Sequence, residues 1–576
     1  MPCPEDGSVP DLNDSHSSVA RFAEASWDDI RPLYEELASR PLTADNVERW
    51  LADWSRLEAR VTEAASMAMI DYTCDTTDSD KLAAHLKFST DILPRVEEQT
   101  VRLGRRLIDT GFERPDLVAV LRRFRTQIEI FRESNVPLFS RLEELSSNYQ
   151  EITGGMTVSW DGTELPLPRM QPFLKDPVRA VRERAFHAVS GAYLDARGSL
   201  SSLFDRMYQT RQQVAANAGF ANFQEFVFRA KYRFDYSPAD CARFHEAVER
   251  TVVPAVNRLL ERRRSLLRLP ELRPWDLAVD PRLKPPVRPF ATVPELAAKA
   301  ERVFAEVDES LGHEFRIMID EGLLDLDSRK GKAPGGYCDT LHERGRPFIF
   351  MNAAGVMDDV RTLLHEAGHS FHAFAAHQLP LVWQRYPGAE IAELASMSME
   401  LLAAPKLVQQ DGFLSQEEAR EAWIEQLEDI LLTLTHVASV DAFQSWIYTS
   451  GRGGDAEARD DAWLAIRQRF EPGIDWSGLE RERVSRWYRQ LHIFLYPFYY
   501  IEYGIAQLGA LQVWRNSRRN WHQALTQYRQ ALALGSTTSL GEMYRTAGAE
   551  LVFDAAGMEA LVSLVVDEIE AADRVA

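Results

Sequence analysis

From about residue 23 onward, apolar and polar positions follow the period of a helix far more often than that of a strand. Stretches near 26–39, 43–71, 79–110, 114–150, 176–218, 237–268 and 293–322 carry apolar residues three and four apart, with Pro, Gly or Asp at their ends. The chain is therefore predicted to be mainly α. Two places break the pattern. After Gly154-Gly155, Thr157-Val158-Ser159-Trp160 and Thr163-Glu164-Leu165 flank Asp161-Gly162, which predicts a tight hairpin. Tyr337 to Leu341 and Phe348 to Met351 flank His342-Glu343-Arg344-Gly345-Arg346, which predicts a hairpin with a longer turn and an edge strand able to pair with a peptide backbone. The prolines of 269–292 predict a loop.

Helical spacing returns with Val360, Leu363, Leu364, Ala367, Phe371 and Phe374. Asp358 and Asp359 stand where an N-cap is wanted, and Pro380 marks an end. A second helix is predicted after Pro387-Gly388, running through Glu400 until Pro405 ends or kinks it. The chain divides on this reading into a loose N-terminus at 1–22, a helical region at 23–153, a region at 154–325 that opens with the hairpin, and a region at 326–576 that carries the chemistry.

Composition narrows the class. At 576 residues the chain exceeds one typical core and suits two or three packed lobes. Hydrophobic residues at 45% and charged residues at 27% are ordinary for a soluble globular protein. A net charge of −21 argues against a nucleic-acid binder, so the arginine runs at 122–125 and 262–264 read as solvated helix faces. Cys3, Cys74, Cys241 and Cys338 are scattered without a CxxC pair, which argues against a disulfide framework and fits a reducing compartment. The first residues lack a basic start and an apolar stretch, and no run of 18 apolar residues occurs, so a cytoplasmic protein without a membrane partner is expected.

The chemistry sits on the predicted helix at 358–380. His365-Glu366-Ala367-Gly368-His369 places two imidazoles four residues apart, on one helix face, where they fit two corners of a zinc tetrahedron. Glu366 is then within reach of a metal-activated water without being a ligand. Gly368 inside a helix costs about 1 kcal/mol against Ala, which predicts a close approach to that turn. On the following helix Glu393 and Glu400 are seven apart and share a face. A buried acidic pair needs a cation or donors. Glu393 is taken as the third ligand and Glu400 as the group that holds a ligand histidine by its other nitrogen. His372 is read as packing or supporting the ligands, since a fourth protein ligand would close the site. His377 is read as a helix cap and Asp339 as an exposed strand residue.

At this point the residues resemble a known family. HEAGHSFH followed by EIAELASMSMELL is similar to the signature of the thimet oligopeptidase and oligoendopeptidase F family of zinc metallopeptidases. Gly335-Gly336-Tyr337-Cys338 and Pro347 to Asn352 resemble that family's segment before the zinc helix, and His492 to Gly504 resembles its segment rich in His and Tyr. The likeness covers roughly residues 155–555, with the spacing of the oligoendopeptidase F branch. It implies one Zn2+ per chain on His365, His369 and Glu393, with Glu366 as catalytic base. It implies that Tyr503, with Tyr496 and His492, steadies the oxyanion; Tyr499 is a rival of Tyr496 and a substrate contact. Phe350, Met351 and Asn352 are the other expected substrate contacts.

The expected architecture is two helical lobes around a deep substrate channel, with small β-hairpins beside a HExxH zinc helix. The expected activity is hydrolysis of internal bonds in short peptides. A carboxypeptidase or dipeptidase of related architecture, or a non-catalytic peptide binder, are the alternatives.

Overall fold

The computed structural model describes residues 18–284, 287–408 and 412–574. The chain is mainly helical, as the periodicity predicts, and clusters into two compact units. Most of the loose segment expected at 1–22 lies outside the described residues, but residues 18–22 belong to the helix Ser18–Glu24.

The first unit comprises the chain to Glu129, Val287–Ala419 and Gly509–Glu550. Its N-terminal core forms on the helix Val47–Cys74, whose Trp50, Trp54, Leu57 and Val61 are fully buried. Trp54 stacks on Phe124 at 5.2 Å between centroids and tilts against Trp383 at 4.4 Å. Beside it lies a three-stranded sheet. The predicted hairpin is present as β4 (Tyr337–Leu341) antiparallel to β5 (Arg346–Ala353), and β3 (Leu324–Asp327), absent from the sequence reading, runs parallel to β5 on its other side. The helix Met357–Ala376 has Val356 as its N-cap, and Asp359 Oδ2 accepts the backbone N–H of Ala354 at 2.8 Å and of Val356 at 2.9 Å. The acid therefore acts from the first turn and is not itself the N-cap, which corrects the expectation. His377 is the C-cap, its N–H reaching the Ala373 carbonyl at 3.0 Å. The helix Ala389–Ala403 follows the Pro387-Gly388 signal.

The second unit comprises Ile130–Pro286, Arg420–Leu508 and Leu551–Ala576. Here β1 (Thr157–Trp160) pairs with β2 (Thr163–Pro166) as predicted. Asp161 and Gly162, with φ of 49° and 81°, supply the left-handed pair that a two-residue turn needs. The Pro-rich stretch is a loop apart from the short turn Pro274–Asp276 among its described residues. It is anchored where Arg179 and Arg182 donate to the buried carboxylate of Asp276. The arginines at 262–264 are not free solvated groups: Arg262 pairs with Glu428, and Arg263 reaches the Val279 carbonyl at 2.6 Å.

Candidate active site

Packing of Met357–Ala376 on Ala389–Ala403 builds the site. At their crossing a Cβ on Gly368 would lie 2.5 Å from the Ser396 Cα and 2.8 Å from the Ala395 carbonyl oxygen, so only glycine fits. The helices meet backbone to backbone, and their polar faces turn to one another.

His365, His369 and Glu393 place one donor atom each within 4.8 Å of one another. His365 Nε2 is 3.3 Å and His369 Nε2 3.7 Å from Glu393 Oε2. The far side of each ring is engaged. His365 Nδ1 donates to Glu400 Oε1 at 2.7 Å, and His369 donates to the Ala392 carbonyl. Both Nε2 atoms are thereby left facing the carboxylate. Ser396 Oγ donates to Glu393 Oε2 at 3.1 Å and fixes that side chain too. Burial pushes the His369 imidazole down to about 4, so it is neutral and its lone pair is available. Burial opposes charge on His365 as well, but Glu393 and Glu400 outweigh it and hold its pKa well above the ordinary value. Two carboxylates thus draw a proton to a place where a cation is wanted. Imidazole, imidazole and carboxylate with their outer atoms tied fit a divalent ion that takes nitrogen and oxygen ligands.

Glu366 is buried on the same helix, and the backbone N–H of Cys338 on β4 donates to its carboxylate. Burial, with Glu393 and Glu400 adding to it against the pull of His365, pushes its pKa up to about 7. Cys338 Sγ lies 3.3 Å from Ser370 Oγ, which donates to the Glu366 carbonyl at 3.0 Å, so strand and helix are tied at this point. The edge of β4 is partly occupied as a result. Its Cys338 amide serves Glu366, and its Thr340 amide donates to Asp339 Oδ1 at 2.8 Å. Asp339 is half-buried rather than exposed, and burial raises its pKa against the hydrogen bonds from Ser66 and Thr340. Phe350 and Met351 are 0% and 2% exposed on the central strand, so their side chains are core and offer no surface to a substrate. Phe350 stacks on Tyr337 at 4.8 Å. Asn352 donates to the Ala333 and Gly335 carbonyls at 2.9 and 3.0 Å and shapes the turn before β4. His372 is buried, and neither ring nitrogen has a hydrogen-bond partner among the described residues, which makes it a packing group.

The second unit holds the other expected residues. His492 lies on the short helix Leu491–Leu495, and Tyr503 lies on Tyr500–Arg519. Between them the backbone bends through Phe498, whose φ of 63° is costly for a non-glycine residue. Three buried side chains hold that bend. Arg211 donates to the carbonyls of Ile493, at 3.1 Å, and Phe494; Arg233 donates to Phe498 O and, at 2.7 Å, to Glu502; and Gln444 Oε1 accepts the Phe498 N–H at 2.8 Å. Tyr499 and Tyr503 meet at 5.0 Å, and His492 lies 5.7 Å from Tyr499 and 6.0 Å from Tyr503. Tyr496 is 54% exposed and faces His492 at 5.8 Å. Tyr500, which the sequence reading passed over, sets its edge against His492 at 4.8 Å, with its hydroxyl donating to Gln490 Oε1 at 3.3 Å.

A helical protein whose HExxH helix crosses a helix bearing glutamate ligand candidates falls in the class of metallopeptidases. Family models place it further. One described as Peptidase family M3 matches residues 173–563, and one described as Peptidase M3 N-terminal domain matches residues 20–114. The chain belongs to peptidase family M3. An oligoendopeptidase F homolog of Borreliella burgdorferi is 21% identical over 549 residues, 88% of this chain and 86% of that protein. The chromosomal oligoendopeptidase F of Lactococcus lactis subsp. cremoris is 23% identical over 262 residues, and that match spans 44% of this chain and only 41% of the relative. A solved structure of PZ peptidase A with an inhibitor has a TM-score of 0.87 at 27% identity, over 96% of this chain and 99% of that one.

Proposed function

We propose that the protein is a cytoplasmic zinc endopeptidase that cuts internal bonds of short peptides. The observation that carries this reading is the convergence of the donor atoms of His365, His369 and Glu393 within 4.8 Å, each side chain held from behind. Those three residues would hold the zinc ion, which when bound supplies a Lewis acid that acidifies water and polarises a carbonyl.

The rest is the work of side chains. Glu366 takes the proton of the attacking water and delivers it to the leaving amine, and the Cys338 amide keeps its carboxylate in place. Glu400 fixes the ring of His365. Tyr503 donates to the oxygen that gains charge, assisted by His492. Tyr499, in ring contact with Tyr503, is a better helper than the exposed Tyr496. Peptides reach these groups along a channel that the family likeness implies. Free cysteines at Cys74, Cys241 and Cys338 suit a reducing compartment, and among the described residues no helix is long and apolar enough to cross a membrane.

Mass spectrometry of an internally quenched peptide after digestion tests the reading. Internal cuts that stop when the metal is chelated are expected. Release of single residues from one end would instead assign a carboxypeptidase, and an intact peptide would assign a binding protein.

A further inference from the structure

The second unit carries a polar chain that ends on the tyrosine segment. It begins at Glu471, which accepts from Arg467 Nε at 2.9 Å and from Arg486 Nη1 at 3.1 and 2.8 Å. Arg467, on the helix Ala456–Phe470, is 1% exposed, and the carboxylate fixes the plane of its guanidinium. Its Nη1 lies 3.2 Å from Nδ1 of His436, on the helix Gln416–Thr449. Across that ring, Nε2 lies 3.2 Å from Gln490 Oε1, and Gln490 is the N-cap of the short helix that carries His492. The hydroxyl of Tyr500 reaches the same oxygen at 3.3 Å, while Gln490 Nε2 donates to the Arg486 carbonyl at 3.2 Å.

One arrangement of protons satisfies every contact in this chain. An arginine has donors and no acceptor, so Nδ1 of His436 is the bare nitrogen and Nε2 carries the proton. The Gln490 amide is oriented by the same logic. Its nitrogen is committed to the Arg486 carbonyl, so its oxygen takes both the His436 N–H and the Tyr500 O–H. A charged His436 would set an N–H against the N–H groups of Arg467. Burial first, then the charges of Arg467 and Arg486, push its pKa down to about 3, which agrees with a neutral ring. Burial also raises the Tyr500 pKa, so its hydroxyl keeps the proton it donates.

The Tyr500 ring delivers this order to the segment. It meets His436 at 5.4 Å, His492 at 4.8 Å and Tyr503 at 5.8 Å between centroids, each in edge-to-face contact. A phenol held by its hydroxyl cannot swing without losing that hydrogen bond, so the rings it touches are held in turn. We propose that His436, locked by Arg467 in its Nε2–H form, is a positioning residue for peptide hydrolysis: through Gln490 and Tyr500 it fixes the rings of His492 and Tyr503. The proposal rests on the peptidase reading, and every contact it uses lies within the second unit.

Histidine-selective 15N labelling of the full-length, metal-loaded protein reads the tautomer by NMR, with His436→Phe identifying the signal. A bare Nδ1 and a protonated Nε2 are expected, unchanged from about pH 6 to about pH 9. His436→Phe and Tyr500→Phe keep a ring in place and remove the polar atoms, and both should move the ring resonances of His492. In steady-state kinetics each should lower kcat roughly 10- to 100-fold at unchanged KM and metal content. The double variant should be no slower than the slower single one, because both break the same chain. His436→Gln, which can offer an oxygen to Arg467 and an N–H to Gln490, should recover part of the loss. A protonated Nδ1, static His492 resonances, wild-type kcat in a folded His436→Phe, or losses that multiply in the double variant overturn the proposal. A rise in KM alone would make the chain a substrate-binding feature and overturn it too. If wild-type protein cuts no peptide while His492 still responds to His436→Phe, the coupling of the two rings stands and the hydrolytic reading falls.

Discussion

At the candidate metal site, three side chains come from two helices, and their partners lie on the second of these: Glu400 and the Ala392 carbonyl for the histidines, Ser396 for Glu393. In the tyrosine segment the side chains come from a bend, and its backbone is held by arginines far away in sequence, 282 residues from Arg211 to Ile493 and 265 from Arg233 to Phe498. The first arrangement is local and regular and has to be brought together by one helix crossing. The second stores a strained backbone at Phe498 and depends on tertiary contacts to keep it. A fixed ligand set suits a group whose geometry must not change. A clamped bend suits donors that have to meet a substrate.

Variants sharpen that contrast. The largest effect is expected from Glu366→Gln, which should keep its metal and lose up to about 10⁴-fold in turnover; near-normal turnover would remove Glu366 from the chemistry. Tyr503→Phe should follow, with kcat lower by about 100- to 1,000-fold and KM little changed. A change in KM alone would make Tyr503 a binding residue. Arg233→Met releases the bend without touching metal ligands, so kcat should fall on the order of 10- to 100-fold at unchanged metal content, with part recovered in Arg233→Lys. Metal loss in that variant would contradict the independence of the two regions. Gly368→Ala acts on the other side of the comparison. Its methyl group has nowhere to go against Ser396, and thermal unfolding should report a destabilisation of about 1–3 kcal/mol despite the better helix propensity of alanine.

The same contrast explains what could be read from sequence. Histidines four apart and glutamates seven apart declare a shared helix face, and an Asp-Gly pair between alternating residues declares a hairpin; both rest on local periodicity. The helical stretches expected at 79–110 and 237–268 contain π turns at Lys87–Ile92 and Val248–Val252, where one extra residue shifts the phase of the apolar stripe without ending the helix. β3 escaped because a four-residue strand gains its identity from pairing with β5. Phe350 and Met351 sit in the centre of that sheet, so residues taken for substrate contacts are core. The two units interleave along the chain, which no local pattern records. Tyr500, Gln490 and His436 matter through contacts with one another, and a list of residue types does not reveal them.

One divalent ion shared by the two helices is the centre of the proposed chemistry. Metal analysis after exhaustive dialysis tests it most directly, on wild-type protein beside Glu366→Gln and Glu393→Gln. The expected result is about one zinc per chain in wild type and in Glu366→Gln, and little in Glu393→Gln, because a site with three protein ligands loses one. Full zinc retention in Glu393→Gln, or none in the wild type, would contradict it.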